Sequence, residues 1–95
     1  MSAYIIADID ITDPALYEQY KPLASAAIEK YGAKPLVRGG AVETAEGGWK
    51  PKRFVILEFA SMEQLRRFYD SPEYKKARAI RQKASKSNVI FVKGV

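Results

Sequence analysis

Four short runs of this chain alternate apolar and polar residues with the two-residue period of a β-strand, and helical spacing fills the gaps after the first and third. That order restricts the fold more than any other property of the sequence. Residues 3–11, AYIIADIDI, put Ile5, Ala7, Ile9 and Ile11 on one face and Tyr4, Ile6, Asp8 and Asp10 on the other. Thr12-Asp13-Pro14 opens a helix, with Asp13 as cap and Pro14 in the first turn. Leu16, Tyr20, Leu23, Ala27 and Tyr31 recur at spacings of four and three and predict its buried stripe. Pro22 is expected to kink or divide this helix, and Gly32 to end it in a left-handed conformation.

Residues 34–44 and 52–59 predict the second and third strands, joined as a hairpin through AEGGWKPK with its turn near Gly48. Ser61-Met62-Glu63-Gln64 is a capping-box pattern, opening a helix with Leu65 and Phe68 inward. Ser71-Pro72 starts another helix, with Glu73 near its positive end and basic residues later. Residues 88–93, NVIFVK, predict the last strand. Right-handed crossovers place the helices on one face of a four-stranded antiparallel sheet. The fold class is therefore α+β, a ferredoxin-like βαββαβ sandwich, with residues 1–95 as a single domain.

Composition excludes much chemistry. The chain has no cysteine and no histidine, which removes disulfides, thiolate nucleophiles, Ser-His-Asp triads and imidazole-ligated metals. No carboxylate cluster has the loop spacing of a hard-metal site. The net charge of +5 favours small anionic ligands without indicating nucleic acid. No run is long enough to span a membrane and no signal-peptide pattern opens the chain, so a cytoplasmic protein without membrane association is expected.

Three charges lie inside the strand-like runs: Asp8, Arg38 and Glu58. A charge so placed must be paired, neutralised or used. With the hairpin turn near Gly48, Arg38 faces Glu58 across it, and the third strand lies between the first and second. The three then share one sheet face, on which repulsion between the two carboxylates would raise the pKa of one. The catalytic reading makes Glu58 or Asp8 a general base and Arg38 an anion clamp. Tyr4 and Tyr69 supply a hydroxyl or stacking wall, and Gly39 and Gly40 a bulge that opens room for ligand. The structural reading makes Arg38 and Glu58 a register-fixing ion pair, Asp8 a partner of water or backbone, and the glycine pair a simple bend.

The same face carries Tyr4, Ile6, Leu36, Phe54, Ile56, Ile90 and Val92, with nothing in the chain to cover them. A homodimer packed sheet against sheet is expected, with a cavity between helices and sheet or between the two sheets. Trp49, in the Gly-rich turn, either caps the core or reaches over a partner subunit; the enrichment of aromatics at interfaces favours the second. Arg78 or Arg81 approaches the pocket rim from the last helix, helical phase leaving open which.

LVRGGAVE, FVILEF, FYDSPEYKKARAIR and the opening ADIDITDP together resemble the bacterial domain-of-unknown-function family numbered 1330. The likeness runs from about Tyr4 to the C-terminus. It implies a dimeric α+β barrel, a cytosolic homodimer with a pocket on the sheet, and no assigned reaction. Relatives in that superfamily include cofactor-free quinone-forming monooxygenases, lactone isomerases, stress-responsive dimers and haem enzymes. The haem members use a histidine ligand that this chain lacks, so no cofactor is expected. RNA-recognition modules share the strand order, but their third strand carries glycines and stacking aromatics where this chain has KRFVILEF, with Glu58 set to repel phosphate. The expected function is small-molecule binding, with cofactor-free catalysis or a non-catalytic dimer as the two versions.

Overall fold

A computed structural model describes all of residues 1–95. The elements are β1 (Ala3–Ile11), α1 (Pro14–Lys30), β2 (Lys34–Arg38), β3 (Arg53–Phe59), α2 (Met62–Tyr69), α3 (Pro72–Ala84) and β4 (Ser85–Lys93). The sheet is antiparallel in the order β2-β3-β1-β4, so the predicted ferredoxin-like arrangement is the observed one.

Local chemistry sets the element ends. Asp13 accepts from the Leu16 amide at 3.1 Å and caps α1. The Thr12 and Asp13 amides both donate to the Ala84 carbonyl, which ties the start of α1 to the end of α3. Ser61 caps α2 by accepting from the Gln64 amide, and the Gln64 side chain accepts in turn from the Ala60 amide. Ser71 closes α2 and opens α3 at once, donating to the Phe68 carbonyl and accepting from the Tyr74 amide.

The core lies between the helices and one sheet face. Ala3 and Ile5 of β1 and Leu57 and Phe59 of β3 are buried there against Leu65, Phe68, Tyr74 and Ala77, while Ala7 and Ile9 of β1 pack in a second cluster with Tyr17 and Ala84. Full burial of each large side chain contributes about 1.5–3 kcal/mol. On the opposite face Leu36, Ile90 and Val92 are exposed and Tyr4, Ile6, Phe54 and Ile56 half-buried, as alternation predicts.

Several boundaries and phases differ from expectation. Helix α1 runs unbroken through Pro22, and its buried residues are Tyr17, Ala24 and Ala27, with Leu23 40% exposed. Of the predicted stripe Ala27 is buried and Tyr20 and Tyr31 pack on the core, while the leucine positions give way to Tyr17 and Ala24, one residue further along. Strand β2 stops at Arg38, well short of residue 44, because Gly39 takes φ +70° and turns the chain away. Strand β4 starts at Ser85, three residues earlier than predicted. Its polar opening, Ser85 to Asn88, carries no alternation of its own but pairs with β1, Lys86 lying opposite Asp10.

The largest correction concerns the hairpin. Glu58 lies opposite Lys34, and Arg38 lies opposite Val55, with an irregularity between Pro35 and Val37 that leaves Leu36 unpaired. The expected Arg38–Glu58 pairing is out by three residues. An odd shift exchanges faces, so Arg38 projects toward the helices and Glu58 away from them.

Candidate functional site

Asp8, Glu58 and Arg38 do not assemble. Asp8 and Glu58 share the open face, but in the β1–β3 register Glu58 lies opposite Tyr4 and Asp8 opposite Phe54. That is four residues along the strands, about 13 Å at the usual strand rise. Their expected mutual repulsion has no basis at that separation. No ion pair joins any two of the three; the ion pairs present are Lys21–Glu18, Lys30–Glu73 and Arg67–Glu63. Glu58 accepts from the Tyr4 hydroxyl at 3.1 Å. Asp8 accepts from the Trp49 indole N–H at 3.0 Å and from the Lys52 amide at 2.9 Å. It therefore fastens the residue 39–52 connection to the open face, where Trp49 meets Phe54 edge to face.

The enclosed space lies on the other side of the sheet. A cavity of about 160 Å³ opens between α1, α3 and the β1–β3 strands. Its apolar wall comes from Ile5, Ala7, Ile9, Val55, Leu57 and Ile28. Small residues make the room: Ala24 and Ser25 of α1 face a sheet on which Ala7 stands between Ile5 and Ile9. The volume is close to the ~150 Å³ that holds a benzene ring in an engineered apolar cavity.

The polar lining is one-sided. Lys21, Arg38, Arg53 and Arg81 are cations, Tyr17, Tyr20 and Tyr74 are phenols, and Ser25 adds a hydroxyl; no carboxylate is among them. Arg38 and Lys21 are solvent-exposed and stand at the mouth. Arg53 packs its guanidinium 5.8 Å from the centre of the Tyr17 ring. It fits there because Gly39 has no side chain: a Cβ would collide with Arg53 Nη1 and stand 3.1 Å from its Cζ. Gly39 thus makes room for a site arginine. Gly40 meets only Val37 Cγ1 at 4.0 Å.

Arg81 is 3% exposed and has no carboxylate partner. The Nε atoms of Arg53 and Arg81 are buried without any hydrogen-bond partner. Burial opposes the Arg81 charge, but Tyr74, Tyr20 and Tyr69 beside it outweigh that and its pKa is raised. The Tyr20 and Tyr74 hydroxyls share a 2.8 Å hydrogen bond. Burial, then the Tyr74 phenol, pushes the Tyr20 pKa far above the usual range, and burial likewise raises Tyr74. Both stay protonated and offer O–H donors.

Of the catalytic and ligand-binding residues singled out from sequence, only Arg38 lines this cavity. Tyr4 is on the open face with Glu58. Tyr69 packs edge to face on Phe91 and carries the Arg78 guanidinium 4.4 Å over its ring. It lines a separate surface cleft that it shares with Arg81. Of the two arginines proposed for the pocket rim, Arg81 lines the cavity and Arg78 donates to the Tyr69 carbonyl. Sequence reasoning misses Arg53, Tyr17, Tyr20 and Tyr74. A signal exists on α3, where Tyr74, Ala77, Arg81 and Ala84 recur at spacings of three, four and three and form its buried stripe.

A ferredoxin-like α+β sandwich with a cation-lined, carboxylate-free cavity between its layers is the class that fold and site define. The chain belongs to the family described as domain of unknown function DUF1330, which matches residues 2–95. A protein of unknown function from Rhodopseudomonas palustris is similar over 99% of this chain and 82% of its own, with TM-score 0.79 and 18% identity. A dimeric ferredoxin-like protein of unknown function from a Jannaschia species is similar over 99% of this chain and 100% of its own, with TM-score 0.74 and 8% identity. SnoaB, a cofactor-independent oxygenase from Streptomyces nogalater, matches over 99% of this chain and 93% of its own, with TM-score 0.65 and 14% identity. At these identities the likeness establishes the fold. No curated protein sequence matches the chain.

Proposed function

We propose that this protein is a homodimer that binds a small organic molecule in the helix–sheet cavity, with Arg38 as a cationic clamp at the mouth. The observation that carries the reading is a ring-sized cavity with an apolar wall whose charged lining is four cations and no carboxylate. The dimer rests on the open face, where Ile90 is 55% exposed and Leu36 46% exposed beside Val92. The dimeric description of the Jannaschia protein is in line with it.

A catalytic version takes support from SnoaB, but the carboxylate bases expected from sequence stand on the opposite face of the sheet. A reaction in this cavity would run on a ligand held in its anionic form by arginine, with Arg38 as clamp and neither Asp8 nor Glu58 as base. The purely structural version needs an ion-pair network among the trio, and none links them.

Native mass spectrometry of freshly purified protein, followed by a thermal-shift screen of ring-sized compounds, tests this. The expected result is a dimer that is stabilised by some of the compounds. Arg38→Ala weakens that response and Glu58→Gln leaves it unchanged. A monomer removes the open-face argument, and a chain indifferent to every compound removes the cavity reading.

A further inference from the structure

We infer that Arg81 and the Tyr20–Tyr74 pair form an oxyanion subsite in the cavity wall, which takes a planar, ring-sized organic monoanion, either a carboxylate or an ionised phenol. The inference rests on the small-molecule reading above and adds the charge and shape of the ligand.

Counting protons defines the subsite. Two phenolic hydroxyls joined by one hydrogen bond use one of their two protons, and the second has no acceptor among the protein groups. Arg81 stands beside both phenols and Tyr69, 97% removed from solvent, with its Nε unpartnered and no carboxylate bonded to it. A buried guanidinium with no counter-charge is among the more costly arrangements a small core can hold, and an apolar side chain of similar volume would serve packing better. An incoming oxyanion resolves both deficits at once: it accepts the free phenolic proton and faces the guanidinium.

The remaining lining sets the rest of the ligand. Seven of the fifteen wall residues are aliphatic and three more present tyrosine rings, so the ligand body is apolar, and a volume of about 160 Å³ is filled by about one ring. A planar oxyanion matches the forked guanidinium. Inorganic phosphate, strongly hydrated and lacking an apolar body, matches neither the size nor the wall.

Isothermal titration of the wild-type protein with benzoate, benzamide, 4-nitrophenol at a pH where it is ionised, and inorganic phosphate tests the subsite. Benzamide is the neutral near-isostere of benzoate. Benzoate or 4-nitrophenolate is expected to bind about tenfold or more tightly than benzamide, since hydrogen bonds to a charged group are worth that much. Which of the two anions binds tighter separates the carboxylate and phenol classes, and the visible absorbance of 4-nitrophenolate reports its ionisation in the complex. Arg81→Met is expected to abolish the preference while retaining benzamide affinity. Should that variant not fold, Tyr20→Phe/Tyr74→Phe tests the same point by removing both phenolic protons. Equal binding of benzamide and benzoate overturns the subsite and leaves the cavity reading standing, as does a preference that survives both variants. Phosphate binding as tight as benzoate overturns the ring-sized ligand. Failure of every compound, benzamide included, overturns the cavity reading and this inference with it.

Discussion

Gly39→Ala tests the link between backbone and site most directly, because the structure supplies its own controls. Gly39 holds φ +70°, and a left-handed conformation costs a residue with a Cβ about 1–2 kcal/mol. Alanine also restricts the unfolded chain, which returns about 0.4–1 kcal/mol, so the backbone part alone comes to about 1 kcal/mol. The new Cβ then collides with the Arg53 guanidinium, which must leave its place 5.8 Å from the Tyr17 ring centre. Losing that cation–π contact adds about 0.5–1 kcal/mol. The total is about 1.5–2 kcal/mol, a fall in Tm of about 10 °C for a domain of this size. Gly47, at φ +83° with open space for 4 Å around the point a methyl group would occupy, isolates the backbone part, so Gly47→Ala should cost about 1 kcal/mol or less. Gly40 has neither a positive φ nor a close neighbour, so Gly40→Ala should stay within about 0.5 kcal/mol of wild type. Urea unfolding at one fixed protein concentration compares the three, since dimerisation makes apparent stability concentration-dependent. If Gly39→Ala costs no more than Gly47→Ala, Arg53 does not depend on the gap at Gly39 and the account of that wall is wrong.

The other predictions concern the latch, the helix pair and the buried phenols. Asp8→Ala removes the acceptor of the Trp49 indole and Lys52 amide. It should cost about 1–2 kcal/mol and shift the emission of the chain's single tryptophan; unchanged emission would separate the loop from Asp8. Glu73, hydrogen-bonded by Lys30, by a backbone amide and by the Tyr31 hydroxyl, has its pKa lowered from 4.5 to about 2. Its stabilising contribution is complete above pH 4.5 and is lost as pH falls toward 2, while that of Lys30, whose pKa is raised from 10.5, is lost only in strong alkali. The stability gap between wild type and Glu73→Gln should therefore close between pH 4.5 and 2 in urea titrations, and narrow in high salt because the pair is exposed. Tyr20→Phe or Tyr74→Phe leaves the other hydroxyl buried without its partner and should cost about 1–2 kcal/mol. The double variant should cost less than the sum; strict additivity would mean that the 2.8 Å hydrogen bond is energetically silent.

Much of the architecture is legible in the sequence because it depends on short-range pattern. The β1 alternation, the caps at Asp13, Ser61 and Ser71, and the Leu65–Phe68 face each follow from neighbours within one turn or one pleat. The candidate site is not legible in the same way. Arg38 stands out as a charge requiring a use, but its face does not, because a register counted from Gly48 is three residues from the real one. Nothing local marks Leu36 as unpaired. Tyr17 is hidden by the leucine spacing of α1, which turns Tyr20 inward but leaves Tyr17 off the stripe, and Arg81 is one of two equivalent arginines until α3 acquires a phase.

Sequence by itself determined the order of strands and helices, the apolar face that no helix covers, and the exclusion of thiol and imidazole chemistry. Those follow from residue types and their periods, which are properties of the chain before it folds. Tertiary structure alone decided that Arg38, Arg53 and Arg81 converge with Tyr20 and Tyr74 on one cavity while Asp8 and Glu58 stand apart on the opposite face. The physical reason is that a single-residue irregularity in a strand exchanges its faces, and the phase of a helix is set by what it packs against. Which charges meet is therefore fixed by packing between elements and not by the spacing within any one of them.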